Sequence, residues 1–226
     1  MLEDVLTTAV PGDFVETGVW RGGQTILMRA VLDAASEESR HVWACDSFDG
    51  VPAPRPTGEN DLSKDETLEW EPGMYNASLE TVRANFMRFG LLDDRVHFVK
   101  GHFVDTMKTI KVENIAVLRL DADTWDATQD VLEALYDRVS DGGYVIIDDF
   151  HLSGARGAVL EFRKKKGITD PLLPVPEDYV FSCGQHDAQY YHTWPKKLPQ
   201  AAYWKKGGYH SLVADDSAAS APARAV

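Results

Sequence analysis

The run "VLRLDADTWDAT", residues 117–128, changes character at its midpoint. The apolar "IAVLRL" reads as a buried strand and then delivers Asp121 and Asp123 at its end. A second stretch, "YVIIDDF" at 144–150, repeats the pattern and ends on Asp148 and Asp149. If the two strands are neighbours, Asp121, Asp148 and Asp149 converge at one edge of a sheet. Three carboxylates in one place repel one another and rise in pKa unless a cation sits between them. Oxygen-only ligands favour a hard cation, and magnesium keeps several waters and so leaves exchangeable positions. A centre of this kind acidifies and orients a hydroxyl, with Asp121 as the expected general base. Taken singly, a "DD" pair at a strand end also serves simply to cap the turn that follows.

Two earlier strand ends point to what lies beside those acids. "FVETGVWRGG" puts Glu16 at a strand tip, followed by Gly18 and the pair Gly22-Gly23 ahead of a helical pattern. The spacing matches neither the dinucleotide G-x-G-x-x-G fingerprint nor a P-loop. An acid at this place repels a pyrophosphate and suits a cationic ligand. "CDSFDG" supplies Asp46, well placed to accept hydrogen bonds from a ribose diol. Together these tips favour S-adenosylmethionine, which carries an amino group, a sulfonium and a ribose but no phosphate.

The elements that must position these residues alternate along the chain. Strand patterns at 13–18, 41–46, 95–101, 114–121 and 144–150 are separated by helical patterns at 21–35, 76–90, 104–110, 127–139 and 155–167. Repeated strand–helix units imply a parallel sheet covered on both faces, so the class is α/β. Two last strand patterns, "DYVFSC" (178–183) and "QAAYWKK" (200–206), suit an antiparallel hairpin at one edge. In such sheets ligands bind beyond the carboxyl ends of the strands, where the acids lie. The Pro/Gly/acid-rich stretch from Gly50 to Gly73 is longer than an ordinary connection and reads as a lid-like insertion over 50–75. We read residues 1–213 as one domain and 214–226 as a low-complexity, disordered tail.

Bulk composition narrows the partners. A net charge of −13 over 226 residues repels phosphate backbones, so nucleic acid is not an expected partner. The "RKKK" run at 163–166 reads as a solvated helix face. Two cysteines are too few for a disulfide framework and fit a reducing, cytoplasmic setting. No signal peptide and no membrane span are expected from the N-terminal residues or from any apolar run.

Five motifs, "GDFVETGVWRGG", "VWACDSFDGVP", "VRANFMRFGLLDDRVHFVKGHFVDT", "AVLRLDADTWDAT" and "GGYVIIDDF", occur in matching order and resemble the macrocin O-methyltransferase (TylF-type) family. The resemblance implies a class I S-adenosylmethionine-dependent methyltransferase fold, Rossmann-like, with a mostly parallel seven-stranded sheet and an antiparallel edge hairpin. It implies magnesium-dependent methyl transfer to a hydroxyl of a sugar or natural-product glycoside. Residue by residue, it implies that the segment from Glu16 to Gly23, through Glu16, Thr17, Gly18, Val19, Arg21, Gly22 and Gly23, holds the methionine portion of the donor, with Thr25 a further donor contact. It assigns Asp46 and Ser47 to the ribose and Gly101, His102 and Phe103 to the adenine border, with Phe48 and Asp121 as further donor contacts. Asp121, Asp148 and Asp149 match the family's magnesium-binding acids. The family's fourth motif is commonly "LDGD" followed by Tyr-Glu-Ser-Thr, where this chain has "LDADTWDAT". The implied partner is a small hydroxylated acceptor, with a homodimer or higher homo-oligomer as a further expectation.

Other readings stay open at this level. A catechol-type phenol suits the same metal chemistry. A metal-dependent hydrolase would use the acids to activate water, and a non-catalytic donor-binding subunit would keep only the cofactor loops. His151 is an alternative base, an acceptor contact or a water-facing histidine. His186, Asp187 and His192 read as loop residues shaping the acceptor pocket. Trp20 and Trp125 either flank the site or pack.

Overall fold

The computed structural model describes residues 1–53, 55, 70–175 and 199–207. A short helix α1 (Leu2–Thr7), not anticipated from the sequence, precedes β1 (Asp13–Thr17), α2 (Gly23–Ala34), β2 (Val42–Asp46) and α3 (Leu79–Arg88). There follow β3 (Val96–Lys100), α4 (Phe103–Thr106), β4 (Ile115–Leu120), α5 (Trp125–Leu135), β5 (Val139–Ile147) and α6 (Ser153–Lys166). Two strands close the fold, β6 (Leu173–Pro174) and β7 (Ala202–Lys205).

The seven strands lie in the order β3-β2-β1-β4-β5-β7-β6. Strands β1 to β5 pair in parallel, β7 runs antiparallel to β5, and β6 antiparallel to β7. The expected mostly parallel sheet with an antiparallel edge is therefore present. The partner of β7 is the two-residue β6, and the expected strand at 178–183 lies outside the described residues. Successive strands run outward one way from β1 to β3 and then the other way from β4, so the order reverses between β1 and β4. That reversal opens a crevice at their carboxyl ends.

Every residue of β4 is buried because helices cover both faces of the sheet. Leu118 and Leu120 pack with Leu132, Leu135 and Phe162 of α5 and α6. Val117 packs on the opposite side with Met28 and Leu32 of α2 and Val5 of α1. Helix ends are fixed locally: the Ser78 hydroxyl accepts from the Thr81 N–H (3.2 Å) at the start of α3, and Gly167 ends α6 in the left-handed region. Strand β5 begins five residues before the sequence pattern suggested. The "DGG" at 141–143 stays in the strand instead of forming a free turn, since the Gly142 N–H donates to the Lys206 carbonyl (2.7 Å) and the Lys206 N–H to that of Gly143 (2.9 Å). Its pairing with β4 shifts register there, Ile115 facing Val139 and Val117 facing Tyr144. Among the described residues no helix is long and apolar enough to cross a membrane.

Candidate active site

Strand alternation decides what the tips present. Glu16 on β1 and Arg119 on β4 are register partners, so their side chains leave the sheet on the same face. Arg119 also partners Ile146 of β5, and two residues onward on that face stand Asp121 and Asp148. The guanidinium is buried and meets all three acids: Glu16 at 2.6 Å, Asp121 at 2.9 Å and Asp148 at 2.7 Å. Burial pulls the Arg119 pKa down, but its carboxylates outweigh that and hold the proton more tightly than usual. The sequence reading did not single out Arg119, although a lone charge in "IAVLRL" two residues before Asp121 was the available signal.

Glu16 sits beneath the cleft floor, only 2% exposed, and accepts from the Thr25 hydroxyl as well as from Arg119. Burial pushes its carboxyl up to about 7; Arg119 and Thr25 pull it down, and Asp121 and Asp148 push it further up. The structure thus makes Glu16 a floor support and does not bring it to the cleft lining.

Asp46, by contrast, lines the cleft and organises the loop above it. One carboxylate oxygen accepts from the backbone N–H of Val19 (2.7 Å) and Trp20 (3.3 Å), the other from that of Phe48 (2.7 Å). Gly18 has φ +81°, and a Cβ there would stand 1.7 Å from the Asp121 carbonyl oxygen. Only glycine permits β1 and β4 to approach this closely at their tips. Replacing Gly18 with alanine is therefore expected to cost more than about 1–3 kcal/mol of stability, read as a lowered midpoint in urea unfolding.

A cleft of about 780 Å³ opens over the carboxyl ends of β1 to β5. Of the residues expected to hold a donor, Gly18, Asp46, Ser47, Gly101, His102 and Phe103 line it. Thr17, Val19, Gly22, Thr25 and Phe48 are buried and do not line it, Gly23 is exposed and does not line it either, and Arg21 lays its guanidinium 4.6 Å over the Trp20 ring. Asp121, Asp148, Asp149 and His151 line the other end, and so does Asp123, which was not among the assigned ligands. Trp20 lines the cleft, whereas Trp125 lies against Gly157 of α6. His186, Asp187 and His192 lie outside the described residues.

The carboxylates that the structure groups are Asp121, Asp123 and Asp149, each offering an oxygen within 4.8 Å of the others. Asp123 replaces Asp148 in the expected trio. Its backbone is left-handed (φ +57°), and its N–H donates to an Asp149 carboxylate oxygen at 3.1 Å, while Asp148 is held by Arg119. Desolvation and then the neighbouring acids raise the pKa of Asp123 and Asp149 well above the ordinary carboxylate value. Desolvation also raises that of Asp121, against the pull of Arg119. Crowded, desolvated oxygens of this kind fit a hard divalent cation, which would supply positive charge between them.

The ends of the 50–75 insertion meet this cleft. Val51 N–H donates to the Met74 carbonyl and Gly73 N–H to that of Val51, both at 2.9 Å. Arg55 donates from Nε to Asp126 at 2.9 Å and also pairs with Asp130, which ties the insertion to α5. Residues 56–69, the body of the expected lid, lie outside the described residues.

Comparison with known proteins agrees with this geometry. The family model of the macrocin-O-methyltransferases (TylF) matches residues 1–182. The 8-demethyl-8-(2,3-dimethoxy-alpha-L-rhamnosyl)-tetracenomycin-C 4'-O-methyltransferase of Streptomyces olivaceus is 46% identical over 180 residues, covering 80% of this chain and 69% of that protein. Mycinamicin III 3''-O-methyltransferase of Micromonospora griseorubida is 44% identical over 186 residues, covering 80% and 71%. Among solved structures, the O-methyltransferase NovP superposes with a TM-score of 0.74 at 38% identity, covering 91% of this chain and 76% of that one. By its motifs, its strand order and the match across residues 1–182, the chain belongs to the macrocin-O-methyltransferase family, on the class I S-adenosylmethionine-dependent methyltransferase fold.

Proposed function

We propose that this protein transfers a methyl group from S-adenosylmethionine to a sugar hydroxyl of a small natural-product glycoside, aided by magnesium. The observation that carries the reading is one cleft with two chemistries: Asp46 with open glycine loops over β1 to β3, and grouped carboxylates over β4 and β5. The relatives' names, a rhamnosyl tetracenomycin and a mycinamicin methyltransferase, support a glycoside acceptor.

Asp46 accepts the ribose hydroxyls, and the loop from Gly101 to Phe103 borders the base. Asp121, Asp123 and Asp149 would hold the cation, whose Lewis acidity makes a nearby hydroxyl easier to deprotonate. Asp121 takes the hydroxyl proton as the oxygen forms its bond to the methyl carbon and the carbon–sulfur bond breaks. Arg119 keeps Asp121 oriented through that transfer. Alignment of oxygen, carbon and sulfur in one cleft contributes on the order of 7–11 kcal/mol and outweighs proton removal.

Incubation with labelled donor and the rhamnosyl tetracenomycin tests the reading: one methyl gained on the sugar is expected, and its loss in excess chelator. Full activity with chelator would remove the metal from the account, and failure to bind S-adenosylhomocysteine would remove the donor. Thermal unfolding checks the carboxylate group independently. Raised folded-state pKa values at Asp123 and Asp149 add stability that is fully present below the unfolded carboxylate value of 3.8. That stability is lost as the pH rises through the folded values. Without metal, Tm is therefore expected to fall as the pH climbs above the carboxylate range. Magnesium at a fixed concentration, about 100 times its Kd at the higher pH, should add about 2.7 kcal/mol there and less at lower pH, where protonation of the carboxylates weakens binding.

A further inference from the structure

Three aromatic side chains line the cleft without a role in donor or metal binding: Trp20, Trp70 and Tyr75. Tyr75 meets Trp20 edge-on at 6.4 Å and Trp70 at 5.5 Å. Trp20 is 48% exposed and Tyr75 47%, so rings of this size leave much apolar surface outside the core. Both hold left-handed backbone, φ +44° and +58°, which bulky residues rarely adopt. The fold gains little from turning large rings outward over a cleft at strained positions, whereas a ligand with an apolar body gains a surface to stack on.

Charge selects the occupant. The Arg21 guanidinium already covers Trp20, 4.6 Å from the ring centroid, so a second cation gains less from that ring's quadrupole. The donor's sulfonium is better served by the carboxylates at the strand tips. What remains suited to the rings is uncharged and apolar. We propose that Trp20, Tyr75 and Trp70 form a stacking shelf for the aglycone of a glycoside acceptor, with the sugar directed at Asp121. This rests on the methyl-transfer reading above, since it assigns the body of that same acceptor.

The test is equilibrium titration of the full chain, saturated with S-adenosylhomocysteine, with two probes. One is the rhamnosyl tetracenomycin; the other is methyl α-L-rhamnoside, which carries no aglycone. The wild type is expected to prefer the first by about tenfold, and Tyr75→Ala to lose most of that ratio. Tyr75→Phe should keep it, and Trp20→Leu should lower it independently. Affinity for S-adenosylhomocysteine in Tyr75→Ala should stay within about twofold. A wild-type ratio near one, a ratio unchanged in Tyr75→Ala, or an equal loss of S-adenosylhomocysteine binding would each overturn the shelf. Methyl transfer without the preference refutes the shelf alone. The preference without transfer to either probe supports the shelf and refutes the reaction.

Discussion

Asp121→Asn is expected to lower kcat by about 10²–10⁴-fold, the usual contribution of a positioned general base. The substitution keeps the shape of the side chain and removes its ability to take the acceptor's proton. Its neighbours are not stranded, because Arg119 retains Glu16 at 2.6 Å and Asp148 at 2.7 Å. The loss should therefore appear in turnover, with little change in Tm and with S-adenosylhomocysteine affinity largely preserved in calorimetry. Asp149→Asn should share the defect, since Asp149 belongs to the same group of three oxygens. Asp148→Asn should be milder: its side chain is 41% exposed, and Arg119 still has two carboxylates. Wild-type turnover in Asp121→Asn, measured with saturating donor and acceptor, would eliminate Asp121 as the base.

Arg119→Leu should have the largest effect on stability, about 3–5 kcal/mol, because it leaves a carboxylate buried without its counter-charge. Glu16 has no route to water at 2% exposure, and Thr25 alone does not neutralise it. For a chain of this length the loss corresponds to a Tm decrease on the order of 10 °C. Adding Glu16→Gln to Arg119→Leu should recover part of it, since the two residues are in direct contact and couple. The pH dependence has a definite sign. With its pKa pushed up to about 7 from 4.5, Glu16 contributes stability that is fully present below 4.5 and lost as the pH rises through about 7. Removing Arg119 raises that carboxyl further, so the penalty should be greatest above neutral pH and shrink toward 4.5. A pH-independent loss in Arg119→Leu would mean that packing of the guanidinium stem matters more than its charge.

The acids at the ends of β4 and β5 were legible from a purely local rule. A run of apolar residues that stops on carboxylates needs no knowledge of distant chain. The glycines of the first loop were legible as a tight turn ahead of a helix, which the positive φ of Gly18 and Gly22 bears out. That Gly18 is forced by contact with the Asp121 carbonyl was not, because its partner lies more than a hundred residues away.

By itself, then, the sequence determined that this is an α/β chain of alternating strands and helices whose carboxylates stand at the carboxyl ends of its strands. Alternation and helical periodicity are properties of neighbouring residues, and they fix which face each side chain takes. Tertiary structure alone decided which acids meet. Glu16 pairs with Arg119 through the β1–β4 register, Asp148 is drawn to that same guanidinium through the β4–β5 register, and the left-handed turn at Asp123 carries its carboxylate into the group instead. Register between strands far apart in the chain depends on the packing of both sheet faces and on the register shift between β4 and β5, and no local pattern carries that information.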